Sequence, residues 1–408
     1  MKSIGIDVGT SFIKVSLLDV KTGKSQASYT FPSAEMPVKA VRAGWAEQDP
    51  DMWWNNVCWC LKALNGEYGL KEVASIGITY QMHGLVCIDR QGKPLRDSII
   101  WSDSRAVEYG TLAFKQIGKE KCLNRLLNSP GNFTATKMAW VKANEPEIFE
   151  HTYKFFLPGD YIAYKLTGDI STTESGLSEQ ILWDFTDNAL AGFVCEYFGI
   201  PASYIPVHKP SLGVQCHTTM QMEKEFGIPK GTPISYRAGD QPNNAFSLNV
   251  METGEVAATA GTSGVVYGIT DKSIADQRSR VNQFLHVNHK PKDPHYGVLL
   301  CINGTGILSA WIRRNLVPDL SYDQMNREAA VVPAGSDGVL VLPFGNGAER
   351  MLENRYTGVR FSGIDLNRHN RGHFLRAAQE GIAFSFRYGI DIMKQMGMEP
   401  KVIRAGKA

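Results

Sequence analysis

The stretch IGIDVGTSFIKVSLLD, residues 4–19, decides how the rest of the chain is read. Alternating β-branched residues run from Ile4 to Asp7, break at Val8-Gly9-Thr10-Ser11 and resume from Phe12. That is the pattern of two strands joined by a tight turn. Taken alone, such a tip is as readily a plain turn as a binding loop. The second half of the chain supplies a copy. In GEVAATAGTSGVVYGIT, residues 254–270, the same Gly-Thr-Ser splits two runs of small and β-branched residues. A tip repeated once in each half is the trace of an internal duplication. Two such loops facing each other across a cleft would offer backbone N–H groups and hydroxyls to a polyphosphate from both sides.

At 408 residues, 43% of them hydrophobic, the chain can fill two cores. Its formal charge of +2 is spread over interspersed acids and bases, so no footprint for nucleic acid or an anionic membrane surface is present. The cysteines at 58, 60, 87, 122, 195, 216 and 301 show neither zinc-ligand spacing nor a disulfide framework, which fits a reducing cytoplasm. Cys58-Trp59-Cys60 lies in a helix-like run and reads as packing rather than a redox pair. His286, His289 and His295 have no carboxylate or Cys at a supporting spacing, so a metal site is not expected there. Met1 leads into a strand without a signal pattern, and no apolar run is long enough to cross a bilayer.

The coarse pattern is α/β. Strands are expected at 4–7, 12–18, 75–80 and 85–89, with a helix over 50–64, and further helices over 135–143 and 159–166, the last stopped by Gly168. Residues 201–232, with several Pro and Gly, read as loop-rich. ISYRAGDQPNNAF, residues 234–246, reads as a strand ending at Gly239-Asp240 and passing into a helix. A domain boundary is expected directly after it, dividing the chain into 1–245 and 246–408. The second half should hold strands at 298–302 and 338–342 and helices over 306–315 and 373–396. KVIRAGKA, residues 401–408, begins like a buried strand running into a glycine turn.

With these segments placed, the chain resembles the FGGY carbohydrate kinases, and within them most closely the xylulokinase branch. The resemblance rests on IGIDVGTSFIKVSLLD, WAEQDPDMWW (45–54), GITYQMHG (77–84), IIWSDSR (99–105), LPGDYIAYKLTGD (157–169), AGDQPNNA (238–245) and AGTSGVV (260–266), in that order. It implies an actin-like ATPase (ribonuclease H-like) fold, two duplicated domains around a central cleft, with sugar and phosphate binding in 1–245 and ATP binding in 246–408. Met82-His83 stands where glycerol kinases of the family usually carry Arg-Glu, which points away from glycerol. The implied reaction is ATP-dependent phosphorylation of a small sugar, D-xylulose at its 5-hydroxyl, with ribulose, fuculose or gluconate as alternative acceptors. Family members continue past the point matching Ala408 through a glycine-rich adenosine-binding segment whose start Arg404-Ala405-Gly406 resembles. That gives a second expectation, a nucleotide-gated binding protein with weak ATP affinity. An actin-type chaperone or filament ATPase ranks last, having no use for QMHG or AGDQ. A homodimer is an open expectation.

Phosphoryl transfer needs an acceptor oxygen in line, phosphate charge neutralised and water excluded. Asp240, after a strand and beside Gly239, reads as a general base or equally as a helix N-cap; the match to the family's catalytic Asp favours the base. Asp7 is expected to hold hydrated Mg²⁺, with a turn-closing Asp as the alternative. By the resemblance, Thr10, Ser11 and Lys14 contact phosphate, and Gly261, Thr262 and Ser263 answer them. Met82, His83, Trp101, Asp103 and Gln241 look like sugar contacts, although His83 and Trp101 also suit a core. GSDGVLVLPFGNGAERM, residues 335–351, resembles a family loop without an assignable role.

Overall fold

Apolar residues alternate along Lys2–Val8 (β1) and Ile13–Asp19 (β2) so that each strand has one face fit for burial. The computed structural model, which describes residues 1–407, pairs them antiparallel with Ile4 opposite Leu17, Ile6 opposite Val15 and Val8 opposite Ile13, all buried. Cross-strand pairs of this kind fix the register, since a slip by one residue would turn every one of them to the other face. Lys24–Phe31 (β3) continues the meander on β2.

The chain then crosses over. Pro50–Tyr68 (α1) starts from Asp49, whose side chain accepts from the Asp51 N–H, and has Pro50 in its first turn. Its Trp53, Val57, Cys60, Leu61 and Leu64 recur at helical spacing and pack on the sheet's buried face. Val73–Tyr80 (β4) enters parallel to β1. Leu212–His217 (β5) and Pro233–Gly239 (β6) complete a six-stranded sheet of order β5-β6-β4-β1-β2-β3, with β6 parallel to β4. Helices Thr134–Asn144 (α2), Pro158–Thr167 (α3) and Glu174–Glu179 (α4) lie between β4 and β5, and Asp240–Ser247 (α5) follows β6.

A second sheet repeats the opening. Glu255–Ala260 (β7) and Gly264–Thr270 (β8) form an antiparallel hairpin, flanked by Asn282–Leu285 (β9), Tyr296–Ile302 (β10) and Val402–Lys407 (β11) in the order β9-β10-β8-β7-β11. β11 runs parallel to β7 as β4 does to β1. Arg371–Gln395 (α7) packs on this sheet and Gly306–Asn315 (α6) packs against α7, which buries Leu375, Ala378, Gly381, Ser385, Gly389 and Ile392 along one stripe. The chain falls into two units, Met1–Asn243 with Phe284–Lys292, and Asn244–Gln283 with the described residues from Asp293 onward. A single cut after residue 245 leaves out the segment 284–292, which groups with the first unit.

Three expectations change. The segment read as loop-rich, 201–232, holds β5 and the helix Met220–Phe226, because one strand contains a glycine and the helix is only two turns long, too short for a visible period. The strand expected from 338 begins at Leu340, since Gly338 takes φ +93°. β11 is a strand but not a buried one: Val402 and Ile403 are exposed.

Candidate active site

β1, β4 and β6 are neighbours and parallel, so their carboxyl ends share one edge of the first sheet. Asp7, Thr79 and Ala238 form one row across it, and Val8, Tyr80 and Gly239 the next. Asp240 and the Gln81-Met82-His83 turn come directly after. In sheets of this kind ligands gather outside the carboxyl ends of the strands. With strands about 4.8 Å apart, Asp7 and Asp240 stand on the order of 10 Å apart along the edge.

Asp240 is the first residue of α5. Burial is the main cause that pushes its carboxyl up from 3.8 to about 7, with the Asp7 charge adding to it, against hydrogen bonds from Gln241 backbone and side chain. A carboxyl that is half ionised near neutral pH suits proton abstraction. Behind it, Arg237 of β6 is completely buried and donates to the Asp160 carboxylate at 3.1 Å, to Gln215 at 2.7 Å and to Ser171. That network fixes the strand end from which Asp240 projects.

Asp7 is also raised, by burial first, while Lys14, directly opposite it in the hairpin with its Nζ at 3.8 Å, pulls it down. A carboxylate kept partly open at this edge fits a hard divalent cation such as Mg²⁺, which takes one or two carboxylates and keeps its waters. Among the described residues no group of three or more His, Cys, Asp or Glu is arranged to hold a metal, the histidines at 286, 289 and 295 included.

Thr10 and Trp101 meet. The Trp101 indole, 54% exposed, donates to Thr10 Oγ1 at 2.9 Å. Thr10 Oγ1 in turn donates to Gln81 Oε1 at 3.0 Å, Gln81 Nε2 donates to Gln48 Oε1 at 3.1 Å, and Gln48 Nε2 donates to the Thr10 carbonyl at 2.8 Å. The direction of this relay is set by buried Trp53, whose Nε1–H can only donate and does so to Gln48 Oε1. The Ser11 carbonyl accepts from Met36 N–H at 2.8 Å. Gln48 and Gln81 were not singled out in the sequence, although both lie in the quoted WAEQDP and QMHG runs.

His83 is held in the left-handed region, φ +61°. Its N–H donates to Glu179 Oε1 at 3.2 Å, its ring Nδ1 lies 3.1 Å from the Glu179 carbonyl, and its own carbonyl accepts from Lys137 Nζ at 2.6 Å. Phe133 meets the ring edge-on and Phe284 lies 5.7 Å away. Met82 is buried against Gly239, where an added Cβ would stand 2.5 Å from Met82 Cγ and 2.7 Å from Glu179 Oε2. Only glycine allows that approach. Lys137 and Glu179 were absent from the sequence reading. The signal for Lys137 was a lone lysine on a helix, TATKMAW, whose other residues are buried; Glu179 gave none.

Asp103 is withdrawn from the sugar contacts. It is fully buried, and its carboxylate accepts from the Arg105 N–H, the Arg105 guanidinium and the Ala46 N–H. Arg105 also reaches Glu47 at 2.7 Å and stacks on Trp45. Asp103 thus braces the loop that carries Trp101, because an arginine two residues on claims its charge. Cys58 and Cys60 pack, with burial pushing their thiols up to about 12 and 11, the reverse of redox poise.

In the second unit the Gly261-Thr262-Ser263 tip is built against α6. The Gly261 and Thr262 carbonyls accept from the Gly306 and Ile307 N–H groups at 3.1 and 3.0 Å, satisfying donors that a helix start leaves open. Glu349, in the loop of unassigned role, is buried and accepts from Asn303 N–H at 2.8 Å and from Gly304 N–H, bracing the turn ahead of α6; burial raises it to about 7. A cavity of about 390 Å³ lies along α6, lined by Ile307, Trp311, Arg314, Asn346, Val359 and Phe361 among others.

The N-terminal domain model of the FGGY family of carbohydrate kinases matches residues 3–247 and the C-terminal domain model residues 256–406. The chain is 31% identical to a xylulose kinase of Bacillus subtilis (strain 168) over 97% of its own length and 78% of that protein's. It is 27% identical to a xylulose kinase of Escherichia coli (strain K12), over 98% and 80%. Among solved structures, xylulose kinase from Rhodospirillum rubrum superposes with a TM-score of 0.88 at 25% identity, covering 98% of this chain and 80% of that one. Plasmodium falciparum glycerol kinase with ADP shares the fold, with a TM-score of 0.90 at 22% identity over 100% and 81%. The chain therefore belongs to the FGGY family of carbohydrate kinases, enzymes of actin-like ATPase fold that phosphorylate sugars with ATP.

Proposed function

We propose that this kinase transfers the γ-phosphoryl group of ATP to the 5-hydroxyl of D-xylulose, releasing ADP. The observation that carries the chemistry is Asp240, a carboxyl group at the carboxyl edge of the first sheet whose proton is held until about pH 7. Asp240 takes the proton of the acceptor hydroxyl as its oxygen attacks the terminal phosphorus, and the bond to ADP breaks. Met82, His83, Trp101 and Gln241 bind and orient the sugar, a neutral polyol suited to hydrogen bonds on its hydroxyls and to apolar surface against its C–H face. Thr10, Ser11 and Lys14 in residues 1–245 and Gly261, Thr262 and Ser263 in 246–408 hold the phosphates, and the cavity beside Ile307 takes the purine. Asp7 would hold a hydrated Mg²⁺, which would supply charge neutralisation on the phosphates of ATP.

The choice of acceptor rests on the curated relatives named xylulose kinase. A coupled ADP-release assay over D-xylulose, ribulose, fuculose, gluconate and glycerol tests it. The expected result is the highest kcat/KM on D-xylulose. A silent xylulose reaction beside strong turnover of another sugar overturns the choice, and no sugar-dependent ADP release at all overturns the function.

A further inference from the structure

His83 sits in a backbone conformation that a non-glycine residue rarely adopts, so something must hold it there. Two buried side chains do. Glu179, at the end of α4, takes the His83 N–H on its carboxyl Oε1, while its main-chain carbonyl engages the ring. Lys137, from the middle of α2, donates from one ammonium group to the carbonyls of His83 and Ile100, at 2.6 and 3.0 Å. Ile100 directly precedes Trp101. One lysine therefore ties together the two segments that carry the proposed acceptor contacts, and one glutamate holds the His83 turn.

The ring geometry adds chemical content. A carbonyl oxygen can only accept, so the 3.1 Å contact with Glu179 requires a proton on Nδ1. Phe133 and Phe284, themselves in ring contact, pack against the imidazole and limit its rotation. Glu179 Oε2 also lies over Gly239, next to Asp240, so displacing this side chain would disturb the acceptor turn and the base together. Both groups pay for their burial in altered acidity: Glu179 is pushed well above the carboxylate range, and Lys137 is lowered to about 7.

We propose that Glu179 and Lys137 are positioning residues that clamp the His83 turn in its Nδ1–H form, and thereby set the affinity for the acceptor sugar without touching ATP. This rests on the proposed acceptor role of His83. The expected signature is a split in steady-state constants. Glu179→Leu and Lys137→Met should each raise KM for the best acceptor of the sugar panel about tenfold, the loss of one oriented hydrogen bond, with KM for ATP unchanged within about twofold. Glu179→Gln, which keeps the acceptor oxygen, should stay within about threefold of the parent.

The assay uses the full chain, with thermal melts on every variant and His83→Ala alongside. If His83→Ala raises the sugar KM but a folded Glu179→Leu or Lys137→Met does not, the clamp is wrong and the acceptor role of His83 stands. If His83→Ala leaves the sugar KM unmoved, or the parent turns over no sugar of the panel, the reading beneath the clamp is wrong and the clamp's function falls with it. A rise in both KM values together marks a merely structural role and also refutes the proposal. Should Glu179→Leu fail to fold, Lys137→Met and Glu179→Gln decide: an unchanged sugar KM in the first, or a tenfold rise in the second, overturns it.

Discussion

Replacing Asp240 by asparagine separates the chemistry of the carboxylate from the cost of burying it. In the native protein this carboxyl titrates near 7 instead of 3.8, chiefly through desolvation. Between those values the native state keeps a proton that the unfolded chain has released, so the contribution of this group makes stability fall as pH rises through the window and levels off above about 7. The full displacement corresponds to about 4 kcal/mol. The side chain retains partial access to water, so about half of that, ~2 kcal/mol, is the expected magnitude. Asp240→Asn cannot ionise and escapes this loss. The variant should match the parent in stability near pH 4 and exceed it by ~2 kcal/mol at pH 8, about 4 °C in Tm for a unit of this size. Its kcat should fall by about 10²–10⁴. Thermal melts from pH 4 to 9 and ADP release on the same samples measure both. A Tm difference that is the same at pH 4 and pH 8 refutes the burial argument, and a retained kcat refutes the assignment of the base.

Other perturbations address the supports of the site. Gly306→Ala places a methyl group against the Gly261 carbonyl oxygen, so the second tip must move; KM for ATP should rise about tenfold while the sugar KM holds, as steady-state kinetics would register. Arg237→Met leaves the buried Asp160 carboxylate without its cation and should destabilise the first unit by about 3–5 kcal/mol, read as a lowered denaturation midpoint, more steeply at pH 8 than at pH 5, where Asp160, already raised by burial, takes up a proton more readily.

The parts of this site that were legible in the sequence are those in which neighbouring residues carry the whole signal. The twin hairpins, the strand ending at Gly239-Asp240 and the glycine stop of α3 are local patterns, and the structure builds each of them. The parallel alignment that brings Asp7, the QMHG turn and Asp240 to one edge is a long-range pairing that no single segment encodes; the resemblance supplied it. What stayed hidden was the buried polar wiring. His83 and Glu179 are 96 residues apart in sequence, and Lys137 reaches His83 across 54. Asp103 failed for the opposite reason. Its partner Arg105 was in plain view two residues away, and an Asp-x-Arg run can satisfy itself, which is the reading to prefer when a carboxylate is a candidate for a neutral ligand.

Thr10 poses the sharpest remaining choice. It was expected to contact phosphate, yet the relay begun by Trp53 turns its hydroxyl O–H to Gln81 and leaves the oxygen to receive the Trp101 indole. Thr10→Val deletes both bonds. Trp101 is half in water and recovers a partner there, whereas Gln81 is buried, so the loss of about 1–3 kcal/mol in stability falls on Gln81. If the hydroxyl serves to hold Trp101 beside the sugar, Thr10→Val raises the sugar KM several-fold, Thr10→Ser restores it, and KM for ATP does not move. A rise in KM for ATP alone would mean that the hydroxyl turns away from Gln81 toward phosphate during turnover, and the relay would then describe only the protein without its nucleotide.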